Sequence, residues 1–479
     1  MNKKHVLINI IITIIFAISV LIIQLQSDNM FDIGLTAVTY IGVTINLYCI
    51  ISSIIIYKRI TLPSIIFQIF SLVFLYGLLI CEQILHYKPS DMFDLSILVT
   101  EKSEITACFL IMYSELFLHL GTLIQIIKKK KYVEQTEETF EKKKIDLLVI
   151  KKIGLILVCI SIVPAFINFY KNLTAAAEYG YSGLGQIATY GLSSIITKIV
   201  PFFQIGMYCL MVAYRDKIKI SRGILAFCIV FYGTQILFGN RGIPLIAVVT
   251  TIWLYHIAVK KISKKTIVIC SILIIPLSMF INIIRVVRVE YGISEWIKNI
   301  PQLIEKTTKE DNPIVESIYE MGGAIYPTAY TINAIPEKTD YKYGSNYMLS
   351  LYSVIHINVS NSKSEFANKI NIAAEISEMA GAPFGGSYIQ EAYANFGWFS
   401  IFFFLILGML FEKLNRKVIE NKKIINLVLI AYFLNPLLWT VRNVMITLPR
   451  ELCWYMLPVF VLYKILLNTE KRKVQVNIK

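Results

Sequence analysis

Five of the ten arginines in this 479-residue chain, Arg241, Arg285, Arg288, Arg442 and Arg450, stand at the edges of apolar segments, where short connections should be poor in positive charge. A guanidinium there is a planar fork of donors, suited to paired hydrogen bonds to phosphate. Arg285 and Arg288 share a helical face at i, i+3. The second chemistry-bearing stretch is Phe384-Gly385-Gly386-Ser387-Tyr388-Ile389-Gln390-Glu391-Ala392-Tyr393-Ala394-Asn395-Phe396-Gly397-Trp398. Its glycine pair permits a tight turn, and Ser387 followed by Gln390 has capping-box spacing, so a helix should begin at Ser387. The free N–H groups of that helix start are expected to suit an anion. Glu391 lies one turn in, and Asn395, four residues on, shares its face.

The elements that position these residues must be membrane helices. With 56% hydrophobic and 16% charged residues and a mean hydropathy of +0.62, the chain is too apolar for a soluble protein. Apolar runs long enough to cross a bilayer lie near 6–25, 33–57, 62–85, 104–127, 151–170, 187–213, 224–240, 243–259, 266–284, 396–411, 424–441 and 451–467. The first is long and lacks a small-residue cleavage site, so it reads as a retained span. Every second connection is basic, which places both termini in the cytoplasm. Arg59, Arg215, Arg222, Arg416 and Arg472 then lie inside and the other five arginines outside, where Lys88, Lys102 and Lys171 are the lysines of the short loops. The net charge of +15 sits mostly on inner loops facing anionic lipid and calls for no nucleic acid.

The fold expected is an all-α integral membrane protein of about twelve transmembrane helices. Residues 1–284 carry helices one to nine, 285–395 form one long external segment with short helices and the substrate site, and 396–479 carry the last three. Within that segment Trp296, Ile297, Ile300, Leu303 and Ile304 mark a helix lying on the membrane surface. A second helix is expected over 313–325, opening on Pro313 and ending near Pro327. The eight cysteines fall in apolar runs and read as small buried hydrophobes. The five histidines have no metal-ligand spacing.

The run GGSYIQEAYANFG before an apolar span resembles the signature of the Wzy-type oligosaccharide repeat-unit polymerases. Gly239-Asn240-Arg241-Gly242 and Tyr343-Gly344-Ser345-Asn346-Tyr347 agree with it in order and placement. The resemblance implies a fold near the C-type glycosyltransferases (GT-C-like), with short external helices over a cavity open to the outer leaflet. It further implies a bacterial cytoplasmic-membrane (inner-membrane) glycosyltransferase polymerising polyprenyl-diphosphate-linked oligosaccharide repeat units at the outer face, into O-antigen or capsule. No cofactor or metal is implied; the partners would be membrane lipid, a flippase and a chain-length regulator. The lack of a D-x-D motif and of a Gly-rich phosphate loop after a strand agrees.

Breaking a bond to diphosphate puts negative charge on the leaving oxygen, and fixed guanidinium groups aimed there favour the transition state. Arg241, Arg285, Arg288, Arg442 and Arg450 are the candidates for that clamp. The acceptor hydroxyl needs a base, for which Glu391 and His356 lead, ahead of Glu316, Glu320 and Glu375. Tyr388 and Asn395 are expected to contact the glycan, and Trp398 reads as an interfacial belt residue. An O-antigen-ligase-like transferase would share the architecture and differ in acceptor. A lipid-linked oligosaccharide flippase or other transporter would show internal repeats and mid-span charges, which this sequence lacks.

Overall fold

The protein is described by a computed structural model over residues 3–29, 33–89, 95–128, 140–186, 191–236, 242–263, 312–355, 371–382, 384–420 and 423–478. All regular elements among the described residues are helical. The first half runs α1 Lys3–Asn29, α2 Leu35–Tyr57, α3 Pro63–Leu79 with a π-helical extension Ile80–Ile84, α4 Glu101–Lys128, α5 Phe140–Gln186, α6 Gly191–Ala213, α7 Ile218–Ile236 and α8 Gly242–Ala258. Short helices follow: α9 Pro313–Met321, α10 Ile325–Ala334, α11 Ser345–Tyr352, α12 Ile372–Ala380 and α13 Tyr388–Phe396. The chain ends with α14 Ser400–Glu420, α15 Ile424–Trp439 and α16 Leu457–Ile478, the last entered through a helical turn Leu448–Arg450 and a π-helical turn Glu451–Met456.

All the expected apolar runs except the ninth coincide with described helices. Among the described residues, eight candidate spans are long and apolar enough to cross a bilayer, and α8 and α15 are shorter apolar helices. The ninth run, 266–284, and the expected surface helix at 295–306 lie outside the described residues. Helix α4 is the axis: 83% of its most apolar window is buried, against 17% for α1, which therefore covers the periphery. Around α4 pack α1, α2, α10 and α14; a second group joins α5 to α6, α7 to α8 and α8 to α15.

The α4–α14 crossing is made by small residues. A Cβ on Gly121 would stand 2.0 Å from the Leu405 carbonyl oxygen, and one on Gly408 1.9 Å from that of Leu118. Backbones that close exchange van der Waals contact along their length, and Thr122 Oγ1 adds a bond of 3.1 Å to the Gly408 carbonyl. Five cysteines, Cys49, Cys81, Cys108, Cys209 and Cys228, are buried as expected, but Cys159 and Cys453 lie on exposed helix faces.

Two features of the long segment differ from expectation. The helix opening on Pro313, capped by Asn312 Oδ1 on Ile314 N at 3.1 Å, breaks at Gly322–Ala324 and does not run on to Pro327. Gly322 fits there against the α3 backbone, with 1.8 Å between a Cβ and Leu78 N, and Pro327 falls in the first turn of α10, where its missing N–H goes unneeded. More consequentially, α13 is not outside the bundle. Its Tyr388 hydroxyl donates to Glu115 Oε1 at 3.3 Å, and Glu115 lies roughly 20 Å along α4 from its start. The Tyr388 ring also meets Phe67 and Phe404 edge-on. At Gly397, with φ of +55°, the chain reverses into α14, so α13 and α14 form a hairpin that returns into the bundle. Tyr341 lies 3.0 Å from where a Cβ would stand, so Gly397 is required by space as well as by φ.

Candidate functional site

Helix α13 begins as its sequence dictates, with Ser387 Oγ accepting from Gln390 N at 3.0 Å. The reciprocal half of the capping box is not made, because Gln390 Nε2 donates to Thr331 Oγ1 at 3.0 Å on α10. A helix start inside a bundle has no water to satisfy its donors and must find protein acceptors. Gly386 N donates to the Arg442 carbonyl, Tyr388 N to the Thr440 carbonyl at 2.8 Å and Glu391 N to the Ser387 carbonyl. With Ser387 Oγ on Gln390 N, these bonds take up two of the three first-turn N–H groups expected to hold an anion, those of Tyr388 and Gln390.

The other end of α13 explains why two sequence motifs occur together. Its last carbonyls, on Ala394 and Asn395, accept from Lys342 N and Tyr343 N. Asn395 Oδ1 accepts from Gly344 N at 2.9 Å, and its Nδ2 donates to the Glu391 carbonyl at 2.7 Å. The Tyr343–Tyr347 motif is thus the C-terminal cap of the signature helix, turned there by Gly344 at φ +81°. Asn395 and Tyr388, expected to touch the glycan, are fully buried and bonded within the protein, so neither presents surface to a sugar.

Glu391 is fully buried as well. Its Oε2 accepts from Met445 N, while Oε1 has no partner among the described residues. Tyr347 of α11 stacks on Phe396 and Phe403, and its hydroxyl is also unpartnered. Burial, and then the charge of Glu391, push the Tyr347 phenol well above its usual range. Both amide atoms of buried Asn346 lack partners too. Native interiors leave few polar atoms unsatisfied, so this group makes the surroundings of Glu391 a candidate site.

The arginine segment closes over this junction. Arg442 lends its carbonyl to Gly386. Arg450 donates Nε to the Ser353 carbonyl at 3.0 Å, and its guanidinium lies 5.3 Å from the Trp454 ring centre. Lys198 Nζ lies 5.7 Å from the same ring, which puts a second cation beside Arg450. Sequence reasoning missed Lys198 because it is counted within the apolar run 187–213. It missed Asn346 and Tyr347 as site residues because nothing in their spacing marks them as buried. Beside the segment opens an apolar crevice of about 400 Å³ lined by Leu429, Ile430, Leu452, Met456, Leu457 and Phe460.

Of the other candidates, Glu375 pairs with Lys342 at 2.6 Å and Glu316 is buried. Trp398, about one third exposed, meets Tyr113 and Tyr393 edge-on. Arg241, Arg285, Arg288 and His356 lie outside the described residues.

Helices this long and apolar define an integral, multi-pass membrane protein. Residues 8–472, nearly the whole chain, match the family model described as O-antigen polysaccharide polymerase Wzy, and the chain belongs to that family. The family comprises glycosyltransferase-like polymerases of the inner membrane that act on lipid-linked oligosaccharide repeat units. No curated protein and no solved structure matches the chain.

Proposed function

We propose that the chain polymerises polyprenyl-diphosphate-linked repeat units at the outer face of the cytoplasmic membrane, through twelve spans with both termini cytoplasmic. The observation that carries the reading is Glu391, set in the signature helix with one carboxylate oxygen fixed by Met445 N and the other unpartnered. A base held by one oxygen is oriented for proton transfer by the other. The acceptor hydroxyl oxygen attacks the anomeric carbon of the donor glycan, the carbon–oxygen bond to diphosphate breaks with its electron pair leaving on the diphosphate, and the hydroxyl proton passes to Glu391 Oε1.

Arg450 and Lys198 receive the growing negative charge, with Arg442, Arg241, Arg285 and Arg288 as further members of the clamp and His356 as a second base. These cations supply the opposing positive charge without a metal. Tyr388 and Asn395 position α13 instead of touching the glycan. The crevice beside Arg450 accommodates the isoprenoid chain. A flippase supplies the lipid-linked unit, and a chain-length regulator limits the product, as O-antigen or capsule.

The test is to give purified protein native polyprenyl-diphosphate-linked repeat units and separate the products by gel. A ladder of longer lipid-linked glycans is expected. Its absence with the native unit, or transfer only to an acceptor that is not a polyprenyl-linked glycan, overturns the polymerase reading.

A further inference from the structure

Helix α11 is inside out. Its residues turned into the protein are polar: Asn346, Ser350 and Ser353, at i, i+4 and i+7, are 2%, 1% and 4% exposed. The residues turned outward are apolar: Met348, Leu351, Tyr352 and Ile355, at i, i+3, i+4 and i+7, are 68%, 55%, 55% and 80% exposed. A helix bordering water shows the opposite arrangement, with its apolar stripe against the core. Only a hydrocarbon surrounding makes this pattern favourable, and α11 lies where one begins. Trp454, at the entry to the last span, donates Nε1 to the Val354 carbonyl at 2.8 Å. Tyr347 wedges α11 against the start of α14, whose own outward stripe, Phe399, Phe402 and Ile406, is 76%, 55% and 56% exposed. Through Tyr347 and Phe403, α11 is thus seated beside a candidate membrane span with an exposed apolar stripe of its own.

We propose that α11 is an interfacial helix, its Met348–Ile355 face sunk in the acyl boundary of the leaflet at the entry to α16, and that its depth sets the height of Arg450. The link is direct. The Ser353 carbonyl takes Arg450 Nε, and Ser350 Oγ bonds the Ile446 carbonyl one residue past Met445, the anchor of Glu391. The polar face of α11 therefore holds the arginine turn while its apolar face is held by lipid. A lipid-borne phosphate moving sideways in that leaflet meets Arg450 at its own level, with no lift out of the membrane. This last step rests on the polymerase reading; the embedding does not.

The test uses full-length protein with the exposed Cys159 and Cys453 replaced by Ala and a spin label on Met348→Cys, in phosphatidylcholine vesicles without substrate. A second label on Phe402→Cys serves as the lipid reference. Relaxation of the Met348 label by oxygen at the Phe402 level, with protection from a water-soluble nickel chelate, is expected. Relaxation by the chelate, or by neither agent because protein covers the face, overturns the embedding. In open membrane fragments, where both faces are reached, a membrane-impermeant maleimide should react with Ser345→Cys on the order of ten times faster than with Met348→Cys, since the thiolate form requires water. Equal rates overturn it too. A water-exposed Met348 in a protein that still builds the glycan ladder removes the embedding and leaves the polymerase reading standing.

Discussion

Two buried glutamates, at opposite ends of the bundle, are treated in opposite ways. Near the end carrying Arg416, Glu412 takes the Tyr57 hydroxyl on one oxygen and has Arg416 Nε at 4.0 Å from the other. Asn415 knits the same place together, donating to Ser64 Oγ at 2.7 Å and to the Tyr57 hydroxyl at 3.3 Å while accepting from Ser64 N. At the other end, Glu391 has one oxygen anchored and one unpartnered, beside a phenol and an amide in the same condition. A charge or polar atom buried without partners is costly, which makes its position a candidate for use beyond packing. The network around Glu412 holds helices together. The group around Glu391 is held by helices and keeps hydrogen-bonding capacity that, under the proposed function, serves proton transfer.

The largest effect that would sharpen this contrast is Glu391→Gln. The amide oxygen can still accept from Met445 N, so the fold should survive while polymerisation falls on the order of 100- to 10,000-fold, read as loss of the ladder at equal protein. Full activity would break the contrast by making Glu391 as structural as Glu412. Next comes Gly408→Val, which forces a side chain into the Leu118 carbonyl. Thermal unfolding in detergent should show destabilisation of about 1–3 kcal/mol or more, because two backbones cannot part at one point only. Asn395→Ala removes bonds to Gly344 N and the Glu391 carbonyl. It should cost about 1–3 kcal/mol and loosen α11, seen as faster amide exchange over 344–352.

Arg450→Lys keeps the charge but loses the fork and the bond to Ser353. Turnover should fall about 10-fold with little change in stability, since an ammonium cannot present two parallel donors. Smallest is Glu412→Gln. It should lower the melting temperature and leave turnover per folded molecule unchanged; a loss of turnover matching Glu391→Gln would erase the distinction between the two ends.

The helix start at Ser387 is legible because a cap is a local matter: its glycines, its serine and the N–H it binds lie within the six residues 385–390. The apolar runs are legible for the same reason, since crossing a bilayer constrains each segment separately. The route of α13 back into the bundle is not. In sequence it is a short stretch at the end of a long segment outside the apolar runs, and only Tyr388 reaching Glu115, 273 residues earlier, shows where it goes. The same holds for Lys198, hidden in an apolar run until Trp454 brings it to Arg450.

By itself the sequence determined the family, the membrane class and the residue types at work, because hydropathy and motif spacing are written along the chain. Tertiary structure alone decided which of those residues touch. It gave Tyr388 N and Gln390 N of the helix start partners inside the protein, buried Tyr388 and Asn395 as supports, and turned the apolar face of α11 outward. Burial and hydrogen-bond partnership depend on neighbours hundreds of residues away, and no local pattern records them.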